Sequence, residues 1–241
     1  MLELFPEGLE ERDFYESTEF LGYGSLSHVS HVRDVVGAEG WVAAITPVPP
    51  GWEGAWKKFH RPVMIQDLWL GPPWVDPPQG VRSVKIAPGM AFGTGAHPTT
   101  RLCIELLLLE NRVKLFDLGC GSGVLALAGA VLGFDPVSAF DIDDVAIQEA
   151  KSNTLLNNVS MNVTKVDVRE LKFLNPPLIT ANLPLETLLQ SLSSLRPLRA
   201  IISGFMIGKM PEIPAYCVQK KLQNDDWEAA LIVRKEGLNS V

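Results

Sequence analysis

The chain has 241 residues, 46% hydrophobic and 20% charged, with a net charge of −7. That length allows one large domain, or a small domain beside a standard one, with apolar residues enough for a substantial core. The acidic balance and the lack of a basic block argue against phosphate-backbone recognition; they suit either a basic protein partner or a charge that only keeps the chain in solution.

Residues 1–46 read as a small α+β unit, with a strand over 14–23, a helix over 28–36 and another strand over 41–45. Pro47-Val-Pro-Pro-Gly51 punctuates the chain, and a short amphipathic helix over 52–59 completes a linker spanning 47–62. Six prolines between 61 and 88 predict short edge strands and turns. From residue 97 the pattern is regular. A helix over 99–109 follows His97-Pro98, then strand 113–118, helix 123–132, strand 136–141 and helix 144–157. Asp143 or Asp144 suits the cap of that last helix. Strands 162–166 and 178–182, helix 185–195 and strand 199–203 come next. Runs 215–222 and 228–235 read as an antiparallel hairpin around Asn224-Asp225-Asp226. Alternating strands and helices predict an α/β fold: a doubly wound, seven-stranded Rossmann-like sheet over 63–241, with a terminal antiparallel hairpin.

The three cysteines, Cys103, Cys120 and Cys217, are widely spaced and form no C-x-x-C. They predict neither a disulfide framework nor a zinc site, and fit a reducing cytoplasm. The start of the chain shows no signal peptide, and the run 106–109 is far too short to span a membrane. His28 and His31 stand at i, i+3 without a nearby third ligand, so no metal site is expected. His60, among Trp52, Trp56 and Phe59, reads as a packed residue. G-x-S-x-G and P-loop motifs are absent from the sequence.

The chemistry concentrates at Asp117-Leu-Gly119-Cys-Gly121-Ser-Gly123. A buried strand feeding a glycine loop and then an apolar helix brings bare backbone N–H groups close to a ligand. The next strand ends at Asp141, where a carboxylate can accept from both hydroxyls of a ribose. A dinucleotide site would call for G-x-G-x-x-G, but the spacing here is G-x-G-x-G, followed by Val124, Leu125 and Ala126. The pattern suits S-adenosylmethionine, which has no pyrophosphate to cradle. A purely structural turn or another nucleotide remains the alternative.

Three further segments should converge on the carboxyl ends of the strands. Pro88 to Thr100 holds three glycines, Phe92, Thr94, His97, Thr99 and Thr100, and offers N–H groups and hydroxyls to a carboxylate; a flexible connector with a Thr cap is the plainer reading. The strand 178–182 runs into Asn182-Leu-Pro184, placing an amide that can orient an amine nucleophile, or merely cap the strand. Asp167, after the third strand, suits an adenine amino group or plain solvent. Asn175-Pro-Pro177 spells a motif of amine methyltransferases but precedes the apolar strand, so it reads as a turn.

With these motifs assembled, the chain resembles the ribosomal protein L11 methyltransferase family. Phe92-Gly-Thr94-Gly95-x-His97-x-Thr99-Thr100, one helix before the glycine loop, carries the resemblance. Asp141-Ile-Asp143 and Ala181-Asn182-Leu183 fall where that family has theirs. It implies a class I enzyme using S-adenosylmethionine, acting on amino groups of ribosomal protein L11: lysine side chains and, in some members, the N-terminal amine. The chain is further expected to be a cytoplasmic monomer, with no direct contact with nucleic acid or membrane. Carried over residue by residue, Thr100, Gly119, Asp141 and Asn182 would contact the cofactor, and the reading of the loop and of the third strand adds Gly121 and Asp167. Phe92, Thr94 and Gly95 would close over its methionine part, and Asn182 would also serve catalysis. The family opens with a ferredoxin-like recognition domain that begins ahead of a segment like Leu2-Glu-Leu-Phe-Pro-Glu-Gly8, so residues 1–46 are expected to be a shortened version of it. The rival readings are a methyltransferase for another protein or a small amine, and a non-catalytic scaffold that only binds the cofactor.

Overall fold

The computed structural model describes residues 9–14, 17–22, 26–38, 40–45, 61–89, 97–172 and 175–235. The chain divides into two compact units, Met1–Ala55 and Trp56–Val241. In the first, strands β1 (Leu9–Phe14) and β2 (Ser17–Gly22) form an antiparallel hairpin with Leu9 opposite Gly22. Helix α1 (Leu26–Ala38) follows and buries Val32 and Val36. The strand expected over 14–23 is present as β2, and β1, which the pattern did not predict, pairs ahead of it. The strand expected over 41–45 does not form. Val42 is fully exposed, no neighbouring strand offers pairing among the described residues, and Trp41 N–H bonds back to the Val36 carbonyl at 3.1 Å. The predicted helix over 52–59, the rest of the linker before residue 61, and His60 lie outside the described residues.

The second unit opens with a small sheet of β3 (Val63–Ile65), β4 (Leu68–Gly71) and β5 (Arg82–Lys85), where β3 pairs antiparallel and β5 parallel to β4. Next come α2 (Pro98–Leu108), β6 (Leu115–Leu118), α3 (Val124–Leu132), β7 (Val137–Asp141), α4 (Asp144–Asn157) and β8 (Asn162–Lys165). The chain ends with β9 (Leu178–Asn182), α5 (Leu185–Leu195), β10 (Arg199–Met206), β11 (Tyr216–Asn224) and β12 (Trp227–Arg234). The main sheet has seven strands in the order β11-β12-β10-β9-β6-β7-β8. β6 to β10 run parallel, β12 lies antiparallel to β10, and β11 pairs with β12 as the expected hairpin.

The two cores follow from the period of two along each strand. Leu115, Leu178, Ile201 and Leu231 point to one face, under α2 and α3. Phe116, Ile179, Ile202 and Ile232 point to the other, under α5. Leu188, Leu192 and Leu195 give α5 its apolar stripe, each contributing about 1.5–3 kcal/mol by burial. α3 is apolar throughout because it is covered on nearly all sides. β10 runs past the expected residue 203 to Met206, with a register shift between Ile202 and Phe205. Gly204 sits in that irregularity at φ +103°.

Candidate functional site

The described residues singled out at the strand ends arrive at one edge of the sheet. From β6 the chain runs to β7 and β8 on one side, then crosses back to β9 on the other, so β6 and β9 flank the point where the winding reverses. Open α/β sheets leave a crevice there. In this chain it is a cleft of about 770 Å³, within the ~300–1,000 Å³ usual for small-molecule sites. Gly119 and Gly121 from the loop after β6, Asp141 from β7, Asp167 from beyond β8, Asn182 from β9 and Thr100 from α2 all line it.

The glycine loop turns on three left-handed residues, Gly119 at φ +66°, Gly121 at φ +53° and Gly123 at φ +82°. A Cβ on Gly119 would strike the Leu183 side chain, so bare backbone faces the cleft between β6 and β9. Gly121 N–H donates to Asp141 Oδ2 at 2.9 Å, and Cys120 N–H to the Phe140 carbonyl at 2.9 Å. Asp141 Oδ1 accepts from Asp143 N–H at 3.0 Å. Each carboxylate oxygen keeps a further lone pair for a ligand.

Asn182 is half-buried, and its Nδ2 donates to Thr99 Oγ1 at 3.0 Å. No protein group among the described residues donates to its Oδ1, which can therefore accept from a ligand. Thr99 Oγ1 is also 2.7 Å from His97 Nδ1, which accepts from Thr99 N–H at 3.3 Å and so caps α2. Burial holds the His97 ring below the usual histidine value, favouring the neutral form this cap requires. Trp227 meets His97 edge-on, ring centroids 5.0 Å apart, and walls the same cleft.

Asp167 is forked to Arg169: Oδ1 and Oδ2 accept from Nε at 2.9 and 3.0 Å. Hydrogen bonding to Arg169 holds its pKa down at about 2. Asp117, by contrast, is 1% exposed beneath the loop. It stands directly opposite Thr180, whose Oγ1 donates at 2.7 Å, and it accepts from Ala126 N–H at 3.1 Å. Burial pushes its pKa up to about 7 against those two bonds, with Asp141 adding to the rise. Burial likewise pushes the Cys120 thiol far up, so that it stays a thiol in the loop. Among the described residues no His/Cys/Asp/Glu group could hold a metal, and no helix is long and apolar enough to cross a membrane.

Phe92, Thr94 and Gly95 lie outside the described residues. Sequence reasoning passed over Trp227, Gly204 and the Arg169 partner of Asp167, all of which line the cleft. A glycine inside an apolar strand was a usable signal for Gly204, since it marks a bulge or a close backbone approach. Nothing in the sequence pattern marks Trp227.

Comparison with known proteins agrees with this geometry. The profile of the family described as ribosomal protein L11 methyltransferase (PrmA) matches residues 48–235. A ribosomal protein L11 methyltransferase of Exiguobacterium sibiricum is 36% identical over 203 residues, covering 77% of this chain and 64% of that one. The crystal structure of the ribosomal protein L11 methylase from Lactobacillus delbrueckii superposes with a TM-score of 0.65 at 28% identity, over 73% of this chain and all of that one. The tRNA (uracil-54, C5)-methyltransferase of Pyrococcus abyssi, in complex with S-adenosyl-L-homocysteine, shares the fold, with a TM-score of 0.52 at 19% identity over 72% of this chain and 44% of that one. The chain spans less than two thirds of the length of the curated relatives it matches. It belongs to the ribosomal protein L11 methyltransferase family.

Proposed function

We propose that this chain transfers methyl groups from S-adenosylmethionine to amino groups of a basic protein, ribosomal protein L11, on lysine side chains or the N-terminal amine. The observation that carries the reading is the convergence, across one crevice, of Asp141 locked to the glycine loop and Asn182 held by Thr99. Family membership and the names of the relatives support the substrate. In this reading residues 63–241 perform the transfer and 1–46 recognise the partner, joined by a linker over 47–62. The protein works as a cytoplasmic monomer, without direct nucleic-acid or membrane contact.

The residues present fit such a cofactor. Bare backbone at Gly119 and Gly121 allows close approach, and the cleft is large enough for a nucleoside carrying an amino acid. S-adenosylmethionine supplies an already activated methyl on its sulfonium, so no protein nucleophile is needed. Asp141 accepts from the ribose hydroxyls with the lone pairs its backbone donors leave free. Asp167, kept ionised by Arg169, accepts from the adenine amino group, and Thr100 borders the opposite side of the cleft. Phe92, Thr94 and Gly95 are assigned to the methionine end on their motif. Asn182 Oδ1 accepts an N–H of the incoming amine and orients its lone pair. An unperturbed lysine amine titrates at about 10.4, so the acceptor must shed a proton before transfer. The apolar wall of Leu183 and Trp227 favours the neutral form.

Calorimetric titration with S-adenosylmethionine, followed by radiolabel transfer to purified L11, tests the reading. Binding with transfer supports it. Binding without transfer to L11 moves the substrate to another protein or a small amine, or leaves a scaffold. No binding removes the assignment of the glycine loop and Asp141.

A further inference from the structure

One face of α4 carries Glu149, Asn153 and Asn157 at steps of four residues. The segment beside it, from the end of β5, presents Lys85, Ala87 and Gly89 at steps of two. Four residues of helix rise about 6 Å and two residues of strand about 6.6 Å, so the two series stay in register over their whole length. Asn157 Oδ1 accepts from Lys85 N–H at 2.7 Å, and its Nδ2 donates to the Lys85 carbonyl at 2.7 Å. One side-chain amide thus pairs with the backbone as a neighbouring strand would. Asn153 Oδ1 accepts from Ala87 N–H at 3.0 Å. The Glu149 carboxyl occupies the space that a Cβ on Gly89 would need.

Asn153 differs from Asn157 in where its second group goes. Its Nδ2 leaves the strand and donates to the Ser122 carbonyl of the glycine loop at 2.9 Å. The side chain is 1% exposed, and both polar ends are engaged by backbone of segments 31 or more residues away in sequence. One partner is an N–H and the other a C=O, so the amide has a single satisfactory orientation. The loop it holds turns on three left-handed glycines, the residue type with most backbone freedom to lose. We infer that Asn153 is a positioning residue for cofactor binding, pinning the Ser122 peptide of the glycine loop to the stretch of backbone that leaves β5. The inference deepens the proposed function and rests on it for the ligand, while the pinning itself is independent of any ligand.

The test compares Asn153→Ala, Asn153→Asp and Asn157→Ala with the unaltered chain. Calorimetry gives the Kd for S-adenosylmethionine well below the melting temperature of each, and hydrogen–deuterium exchange follows residues 85–89 and 119–124. Asn153→Ala should raise Kd about tenfold and speed exchange in both segments. Asn157→Ala, which loses its two bonds to Lys85 and one to the Asn153 carbonyl but none to the glycine loop, should speed exchange at 85–89 and leave Kd within about twofold. Should Asn153→Ala fail to fold, Asn153→Asp decides: it keeps the acceptor for Ala87 and loses the donor to Ser122, so exchange should rise at 119–124 and Kd with it. A general structural role would move both asparagine variants alike. The inference is overturned if exchange at 119–124 does not rise in either Asn153 variant, or if Kd rises equally for Asn157→Ala. If the unaltered chain binds no S-adenosylmethionine, the functional reading fails, and exchange at 119–124 alone still decides whether Asn153 holds the loop.

Discussion

The substitution Asp117→Asn should change how stability depends on pH. The carboxyl is 1% exposed, and burial pushes its pKa up to about 7. An unfolded aspartate titrates at about 3.9. A group whose folded pKa is raised gives its full stabilisation below the unfolded value and loses it as pH rises towards the folded value. Between pH 5 and about pH 7 the unfolded carboxyl is ionised while the folded one still holds its proton, so over those two units the wild type should lose about 1.4 kcal/mol each, about 3 kcal/mol in all, and little more above pH 7. The substituted amide would keep the shape and both bonds: its oxygen accepts from Ala126 N–H, and its NH2 donates to a rotated Thr180 hydroxyl. It carries no charge at any of these pH values. Urea unfolding of both proteins at pH 5, 6, 7 and 8 measures the difference, in which other titrating groups cancel. The variant should gain on the wild type as pH rises and level off above pH 7. Parallel curves would refute the argument that Asp117 holds a proton in the folded protein.

Three further outcomes are expected. Asp141→Ala should weaken S-adenosylmethionine binding about 10- to 100-fold by calorimetry, and Asp167→Ala less than about tenfold; equal losses would contradict the roles given to them. Asn182→Ala should lower kcat in radiolabel transfer by about 100-fold while the cofactor Kd stays within about threefold, and near-normal turnover would remove it from the mechanism. Gly204→Ala puts a Cβ against the Leu183 backbone at φ +103°, so it should destabilise the fold by about 2 kcal/mol or more. An unchanged urea midpoint would show that the bulge in β10 tolerates a side chain.

The elements legible in the sequence were those bounded by chemistry the backbone requires. α4, β9 and α5 begin and end where the pattern places them, because Asp143 caps one helix and Asn182-Leu-Pro184 stops a buried strand. The first strand of the amino-terminal hairpin was not legible: Glu10 to Asp13 show no alternation, and their strand exists by pairing with residues 18–21. Asp141 and Asn182 stood out as polar groups at the ends of apolar strands. Their partners did not, since Thr99 lies 83 residues from Asn182 and meets it only through the crossover of the sheet. Asn153 and Asn157 carried no signal of their own in the sequence; the backbone passing alongside α4 engages both amides and leaves Asn153 buried.

Asp117, Asp167 and Asp141 lie at or beneath this edge of the sheet, and their surroundings decide which of them can serve a ligand. Asp117 has given both oxygens to Thr180 and Ala126 beneath the loop, where nothing from solvent touches it; its work is to tie β6 to β9 and to the start of α3. Asp167 has both oxygens forked by Arg169, so a ligand bond there adds to a charge already compensated. Asp141 is held by two backbone N–H groups, one on each oxygen, which fix its plane without a neutralising cation among the described residues. A carboxylate so fixed keeps its outward lone pairs, the condition for strong bonds to a pair of vicinal hydroxyls. Because Gly121 N–H bonds to that same carboxylate, the acid also sets the loop that lines the cleft. Asp141→Ala therefore removes a ligand contact and a loop restraint together, and that double loss is why it should cost more than Asp167→Ala.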